Sequence, residues 1–201
     1  MYPFRIFSLL IFFNIITVQI STAQFAESPF KAKTMVGLMY GYGTQQELGM
    51  VADYQYDVIY YQLQYHRILH NWHKTSLELL IQPQYNRTNF IYGDNEFHNS
   101  HGYEFGLNVG FLFRRYIAGE SVSLYMLIST GPHYASSVPF RQSSGFMFSD
   151  NLFLGITFKL DDNIYLDLRP GIRHLSNAGF KRPNGGINNI VINGGLIVGL
   201  K

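Results

Sequence analysis

Polar and apolar residues alternate with a period of two along most of the chain. In 103–114, Phe105, Leu107, Val109, Phe111 and Phe113 fall on one face, and Glu104, Gly106, Asn108, Gly110, Leu112 and Arg114 on the other. In 152–160, Leu152, Leu154, Ile156, Phe158 and Leu160 alternate with Phe153, Gly155, Thr157 and Lys159. Around 75–85, Leu77, Leu79, Ile81 and Tyr85 alternate with Ser76, Glu78, Gln82 and Gln84. Period two sends successive side chains to opposite faces of a strand. The pattern predicts strands near 33–42, 54–66, 74–86, 103–116, 121–131, 146–160, 163–176 and 187–200.

Soluble sandwiches alternate as well, so the question is which face meets solvent. Glu78, Glu104, Arg114, Asp167, Arg169 and Arg173 share the polar face. A soluble barrel would place those charges in water. A membrane barrel turns its apolar face to lipid and its polar face to the lumen. The strands reach about ten residues or more, as a tilted membrane strand needs, and Tyr and Phe crowd their ends like interfacial girdles. Connections after strands 1, 3, 5 and 7 are expected to be long (near 43–53, 87–102, 132–145 and 177–186) and those after strands 2, 4 and 6 short. Long extracellular loops and short periplasmic turns give this rhythm. The expected fold is all-β, an eight-stranded antiparallel transmembrane β-barrel over residues 24–201; a secreted soluble barrel is the alternative.

Composition sharpens the picture. Hydrophobic residues make up 47% and charged residues 14% of 201 positions, which excludes a disordered chain. Net charge is +2, and no basic patch of the nucleic-acid type occurs. The absence of Cys excludes disulfides and thiolate metal sites. Arg5, the apolar run Ile6 to Val18 and Ser21-Thr22-Ala23 read as a signal peptide over residues 1–23, with a mature start at Gln24. Eight strands enclose an interior filled by side chains, so a general porin is not expected. Asp167, Arg169 and Arg173 are expected to form an ion network in the lumen. His66, His70 and His73 read as turn or interfacial residues, because no carboxylate joins them at a ligand spacing. No metal or cofactor is implied. Gly37, Gly41 and Gly43 read as barrel taper, since no helix follows them.

One polar pair breaks the apolar face. From Ile164, one face of strand 7 reads Ile164, Leu166, Leu168, Pro170, Ile172, His174 and Ser176. Polar groups at the lipid boundary are costly. Residues i and i+2 on one strand face lie roughly 7 Å apart, within reach of a His ring. A Ser beside a base is what nucleophilic acyl transfer needs. With a periplasmic N-terminus, strand 7 runs outward and carries the pair to the outer leaflet, a placement that suits an enzyme acting on an ester of an outer-leaflet lipid; the pair by itself reads equally as ordinary interfacial residues at a strand end.

The segment Arg173-His174-Leu175-Ser176-Asn177-Ala178-Gly179, followed by Pro183-Asn184-Gly185-Gly186-Ile187-Asn188, resembles the signature of the lipid A 3-O-deacylase (PagL-type) family. The resemblance implies an outer-membrane hydrolase of Gram-negative bacteria that removes the 3-O acyl chain from lipid A in lipopolysaccharide. It assigns Ser176 as nucleophile and His174 as its general base. It links Asn177 and Asn184 to the oxyanion site or its support. The family's third triad member is a Glu twelve residues after the Ser; here that position is Asn188. Asn188 shares parity with Ile190, Ile192, Leu196, Val198 and Leu200, on the lipid side beside His174. An amide orients an imidazole but does not neutralise an imidazolium. Asp167 and Glu104 read as lumen-facing, so neither replaces the missing acid. The sequence leaves a homodimer open. The competing expectation is a non-catalytic barrel for adhesion, binding or envelope integrity that retains the motif.

Overall fold

The computed structural model describes residues 33–45, 54–92 and 98–200. The expected signal peptide, residues 1–23, lies outside the described residues. Eight strands follow in chain order: β1 (Thr34–Thr44), β2 (Tyr54–Trp72), β3 (Thr75–Tyr92), β4 (His98–Tyr116), β5 (Val122–Ala135), β6 (Gly145–Asp161), β7 (Ile164–Ser176) and β8 (Ile187–Leu200). Each pairs antiparallel with the next, and β8 pairs with β1 to close the barrel. Following cross-strand partners once round the wall from Thr34 returns to β1 at Thr44, a stagger of ten residues (position 34 to position 44). Such a stagger tilts the strands by about 35–45° to the barrel axis.

The wall sorts its residues as the alternation demands. Outward positions carry Leu38, Leu63, Phe111, Ile128, Leu154, Ile192 and other exposed apolar side chains. Outward aromatic rings pack across neighbouring strands, with Tyr40 and Tyr61 centroids 5.5 Å apart, Tyr61 and Tyr85 6.3 Å, and Phe105 and Tyr134 5.2 Å. Inward positions carry Glu78, Glu104, Arg114, Asp167, Arg169 and Arg173, all buried. Gly41 faces inward, and a Cβ there would lie 1.8 Å from Asn193 Oδ1, so the missing side chain makes room for the asparagine.

Among the described residues the lumen ion pairs form at three places, and Arg173 does not join Asp167 and Arg169 in the network expected of them. Arg114 donates to both oxygens of Glu78 at 2.6 and 3.1 Å. Arg169 Nε donates to Asp167 at 2.9 Å, and the Tyr125 hydroxyl donates to the same carboxylate. Arg173 turns instead to Glu104, donating at 2.6 Å, and that carboxylate also accepts from Tyr56 and Asn86. Arg169 meets a carboxylate two residues back on its own strand, Arg114 one on the neighbouring β3, and Arg173 alone of the three reaches across the barrel, to β4. His66 departs from the turn role expected of it: it is buried in the lumen, with Nδ1 3.4 Å from Glu78 Oε2. The carboxylate arrives from β3, twelve residues away in sequence and adjacent in the sheet.

Strands β3 and β4 run further than their pattern suggests. The connection expected over 87–102 shrinks to 93–97, because Asn86 through Tyr92 stay paired with Glu104 back to His98. The polar run Asn86-Arg87-Thr88-Asn89 looks like a turn. In the sheet Asn86 and Thr88 face the lumen, and Phe90 stacks on Tyr56 with centroids 5.9 Å apart. Tyr54, Tyr56, Tyr60, Phe90, Leu175, Ile187 and Val191, toward the ends of β2, β3, β7 and β8 nearest the 177–186 connection, belong to a buried cluster that continues down the barrel through Leu127, Phe153 and Leu80. That packing holds the wall together beneath the site.

Candidate active site

β7 ends its inward row with Leu175, fully buried, and its outward row with His174 and Ser176. His174 is exposed on the outer wall and Ser176 half-exposed. β8 brings Asn188 directly opposite His174 in the antiparallel register, also outward. His174 Nδ1 and Asn188 Oδ1 are 2.7 Å apart. A carbonyl oxygen only accepts, so in this pairing Nδ1 carries a proton, and in the neutral ring Nε2 is then the nitrogen with the lone pair. Among the described residues, Ser176 Oγ has no hydrogen-bond partner, so its hydroxyl is uncommitted. Phe148 of β6 is its cross-strand neighbour, and the Phe148 ring packs against Phe146 at 5.1 Å and Phe180 at 6.4 Å.

The 177–186 connection that joins β7 to β8 is tied down by its own asparagines. The Asn177 amide N–H donates to Asn184 Oδ1 at 3.0 Å, Asn177 Nδ2 donates to Lys181 O at 2.7 Å, and Asn177 Oδ1 accepts from Gly179 N at 3.0 Å. Both family asparagines thus hold the shape of the connection immediately after Ser176. The β5–β6 connection braces it from one side. Gly185 N donates to Arg141 O at 2.8 Å, Arg141 Nη2 donates to Gly185 O at 2.8 Å, and Ser143 N donates to Pro183 O at 2.8 Å.

Gly186 is the hinge between this connection and β8. Its φ is +69°, a region that favours glycine. Its N–H donates to Gln142 Oε1 at 3.0 Å, and its carbonyl accepts from the Tyr54 hydroxyl at 3.2 Å. A Cβ at this position would lie 2.6 Å from His174 Cε1. The glycine therefore provides the space in which the imidazole edge rests.

Sequence reasoning did not find Gly186, Gln142 or Arg141 as parts of this site, since each acts through contacts that only the folded connections create. It also missed Asp150. The parity of Leu152 and Leu154, extended one step back along β6, places Asp150 outward; that it lies opposite His174 needs the β6–β7 register.

No curated protein matches the chain. Among solved structures, the crystal structure of the outer membrane enzyme PagL aligns with a TM-score of 0.49 and 18% identity, covering 82% of this chain and 99% of that one. The Yersinia pestis outer membrane protein Ail, determined in a phospholipid bilayer nanodisc, aligns with a TM-score of 0.41 and 16% identity, covering 83% and 99%. The family model described as lipid A 3-O-deacylase (PagL) matches residues 54–196, which take in β2 to β7, most of β8 and every site residue above. The chain is a barrel of the bacterial outer membrane and belongs to the lipid A 3-O-deacylase (PagL) family.

Proposed function

We propose that this barrel is a serine-type esterase that removes the ester-linked 3-O acyl chain from lipid A in the outer leaflet. The observation that carries the reading is the 2.7 Å pairing of His174 Nδ1 with Asn188 Oδ1 on the apolar outer wall, two residues from an uncommitted Ser176 hydroxyl. Bond by bond, Ser176 Oγ attacks the ester carbonyl carbon while His174 Nε2 takes the hydroxyl proton. The tetrahedral intermediate collapses, the sugar oxygen leaves with the proton returned by His174, and the acyl group stays on Ser176. Water, deprotonated by the same imidazole, then releases the fatty acid and restores the serine. Side-chain rotation closes the Ser–His hydrogen bond; catalytic hydrogen bonds often tighten only with substrate in place. Asn177 and Asn184 act by fixing the connection that follows the nucleophile. Residues 1–23 are removed on export.

Tandem mass spectrometry of lipid A after incubation with the purified barrel tests the position. The expected product lacks the hydroxyacyl chain at the 3 position and keeps every amide-linked chain. Loss of an amide-linked chain, or of an ester-linked chain elsewhere, would refute the assignment.

Gly186→Ala tests the space around the imidazole. The new methyl displaces His174 from Asn188, so turnover falls by about a hundredfold, as misplacement by an ångström commonly costs. The check is the rate of fatty-acid release, with the folded barrel verified by its heat-dependent gel mobility.

A further inference from the structure

We infer that Asp150 is a positioning residue for His174, supplying across the β6–β7 pair the negative charge that Asn188 lacks. The inference rests on the serine-esterase reading above.

Four polar residues lie side by side on the outer wall: Thr130 of β5, Asp150 of β6, His174 of β7 and Asn188 of β8 are successive cross-strand partners. The next outward row, two residues deeper, is Ile128, Leu152, Ile172 and Ile190, also successive partners. The polar row is therefore a local feature and not the edge of a generally polar surface. Within it, the Thr130 hydroxyl donates to Asp150 Oδ1 at 2.6 Å, while His174 turns the other way to Asn188. Among the described residues Asp150 and His174 make no ion pair within 4 Å.

A carboxylate at the edge of an aliphatic wall is costly unless something compensates it. A hydroxyl from Thr130 does part of this. A cation next door does more, and His174 is one once it has taken the Ser176 proton. Direct cross-strand neighbours hold their Cβ atoms about 4.5–5.5 Å apart. At such separations, beside lipid rather than bulk water, attraction between unit charges is well above its aqueous value. Asn188 then sets the tautomer and Asp150 the charge, two tasks that one carboxylate performs in a Ser-His-acid triad. A purely structural role for Asp150 would be to accept the Thr130 hydrogen bond, which an asparagine oxygen also does. Asp150→Asn therefore separates charge from hydrogen bonding.

The test uses the full barrel in lipid vesicles and a fluorophosphonate that reacts with activated serines. Ser176 Oγ forms a bond to phosphorus, the P–F bond breaks, fluoride leaves, and His174 takes the proton. The expected result is that Asp150→Asn slows phosphonylation of Ser176 by about tenfold or more at saturating probe, as loss of a neighbouring opposite charge implies, with the probe's half-saturation concentration unchanged. Asp150→Glu restores most of the rate. In an Asn188→Glu background the same Asp150→Asn change costs under about threefold, because that carboxylate already carries the charge. The role of Asp150 is overturned if Asp150→Asn labels as fast as the wild type, or if its loss is the same in both backgrounds. If wild-type Ser176 is not labelled at all, the serine-esterase reading fails and the role of Asp150 falls with it. Labelling of the wild type with an unaltered Asp150→Asn rate removes Asp150 alone.

Discussion

Ser176→Ala abolishes fatty-acid release from lipid A, with turnover down by on the order of 10⁴–10⁶, as for loss of a nucleophile in other serine hydrolases. Strand β7 offers no replacement beside His174. Along β7 the remaining outward side chains are Ile164, Leu166, Leu168, Pro170, Ile172 and His174, and none carries a hydroxyl. His174→Ala produces a loss of similar size, because the serine hydroxyl is a weak nucleophile without a base to take its proton. The double variant is no worse than either single one, since the two groups act as a unit. A time course of fatty-acid release, with the folded barrel verified for each variant, measures all three. A Ser176→Ala protein that still released acyl chain would place the chemistry elsewhere.

Asn188→Glu raises the rate, by up to about a few orders of magnitude if the acid-to-amide change seen in serine proteases runs in reverse. Two physical effects contribute. An amide has two arrangements: with Oδ1 toward the ring it fixes the proton on Nδ1, and rotated it donates from Nδ2 and leaves the proton on Nε2. A carboxylate offers only acceptors, so it holds the base-competent tautomer alone. It also neutralises the imidazolium formed during attack. The added charge at the lipid boundary has a cost, which the imidazolium and the outer-leaflet headgroups offset in part. With Asp150 already facing His174, the gain is smaller than in a site with no outward carboxylate. Asn188→Ala lowers the rate by removing the 2.7 Å partner of Nδ1. Equal rates for wild type, Asn188→Ala and Asn188→Glu would show that Asn188 does not act on His174.

The strands and their two faces are legible in the sequence because a period of two is a purely local signal. Parity alone assigns His174, Ser176 and Asn188 to the outer wall, which is the side they occupy in the fold. Strand ends are less legible. Asn86 to Asn89 have the composition of a turn, and they stay in the sheet through pairing with β4, the Asn86–Glu104 hydrogen bond and the stacking of Phe90 on Tyr56 inside the barrel. Pairing across the barrel is not legible at all from periodicity. That Arg173 reaches Glu104 and not Asp167, that His66 meets Glu78, and that Asp150 lies opposite His174 all follow from register and stagger. The same holds for the brace under the site: Arg141 and Gln142 sit more than forty residues from Gly185 and Gly186, a separation no local pattern records.

The family signature is the second local signal, and it is compact because its residues all serve one turn of the wall. Ser176 ends β7, Asn188 follows the first residue of β8, and the connection between them is closed by Asn177 and Asn184. The departure at Asn188 shortens the side chain by one methylene and replaces a carboxylate with an amide, and the imidazole is still held at 2.7 Å. Contact with the ring is therefore made, and the negative charge is what the amide lacks.

The most direct measurement is the mass spectrum of lipid A from Gram-negative cells whose lipid A carries a 3-O-linked hydroxyacyl chain, with and without this protein in the outer membrane. The expected result is a new species lighter by one hydroxyacyl group in cells making the wild-type barrel, absent from cells making Ser176→Ala at the same level. Identical spectra with and without correctly folded wild-type barrel would contradict it and leave a non-catalytic outer-membrane protein that keeps the motif.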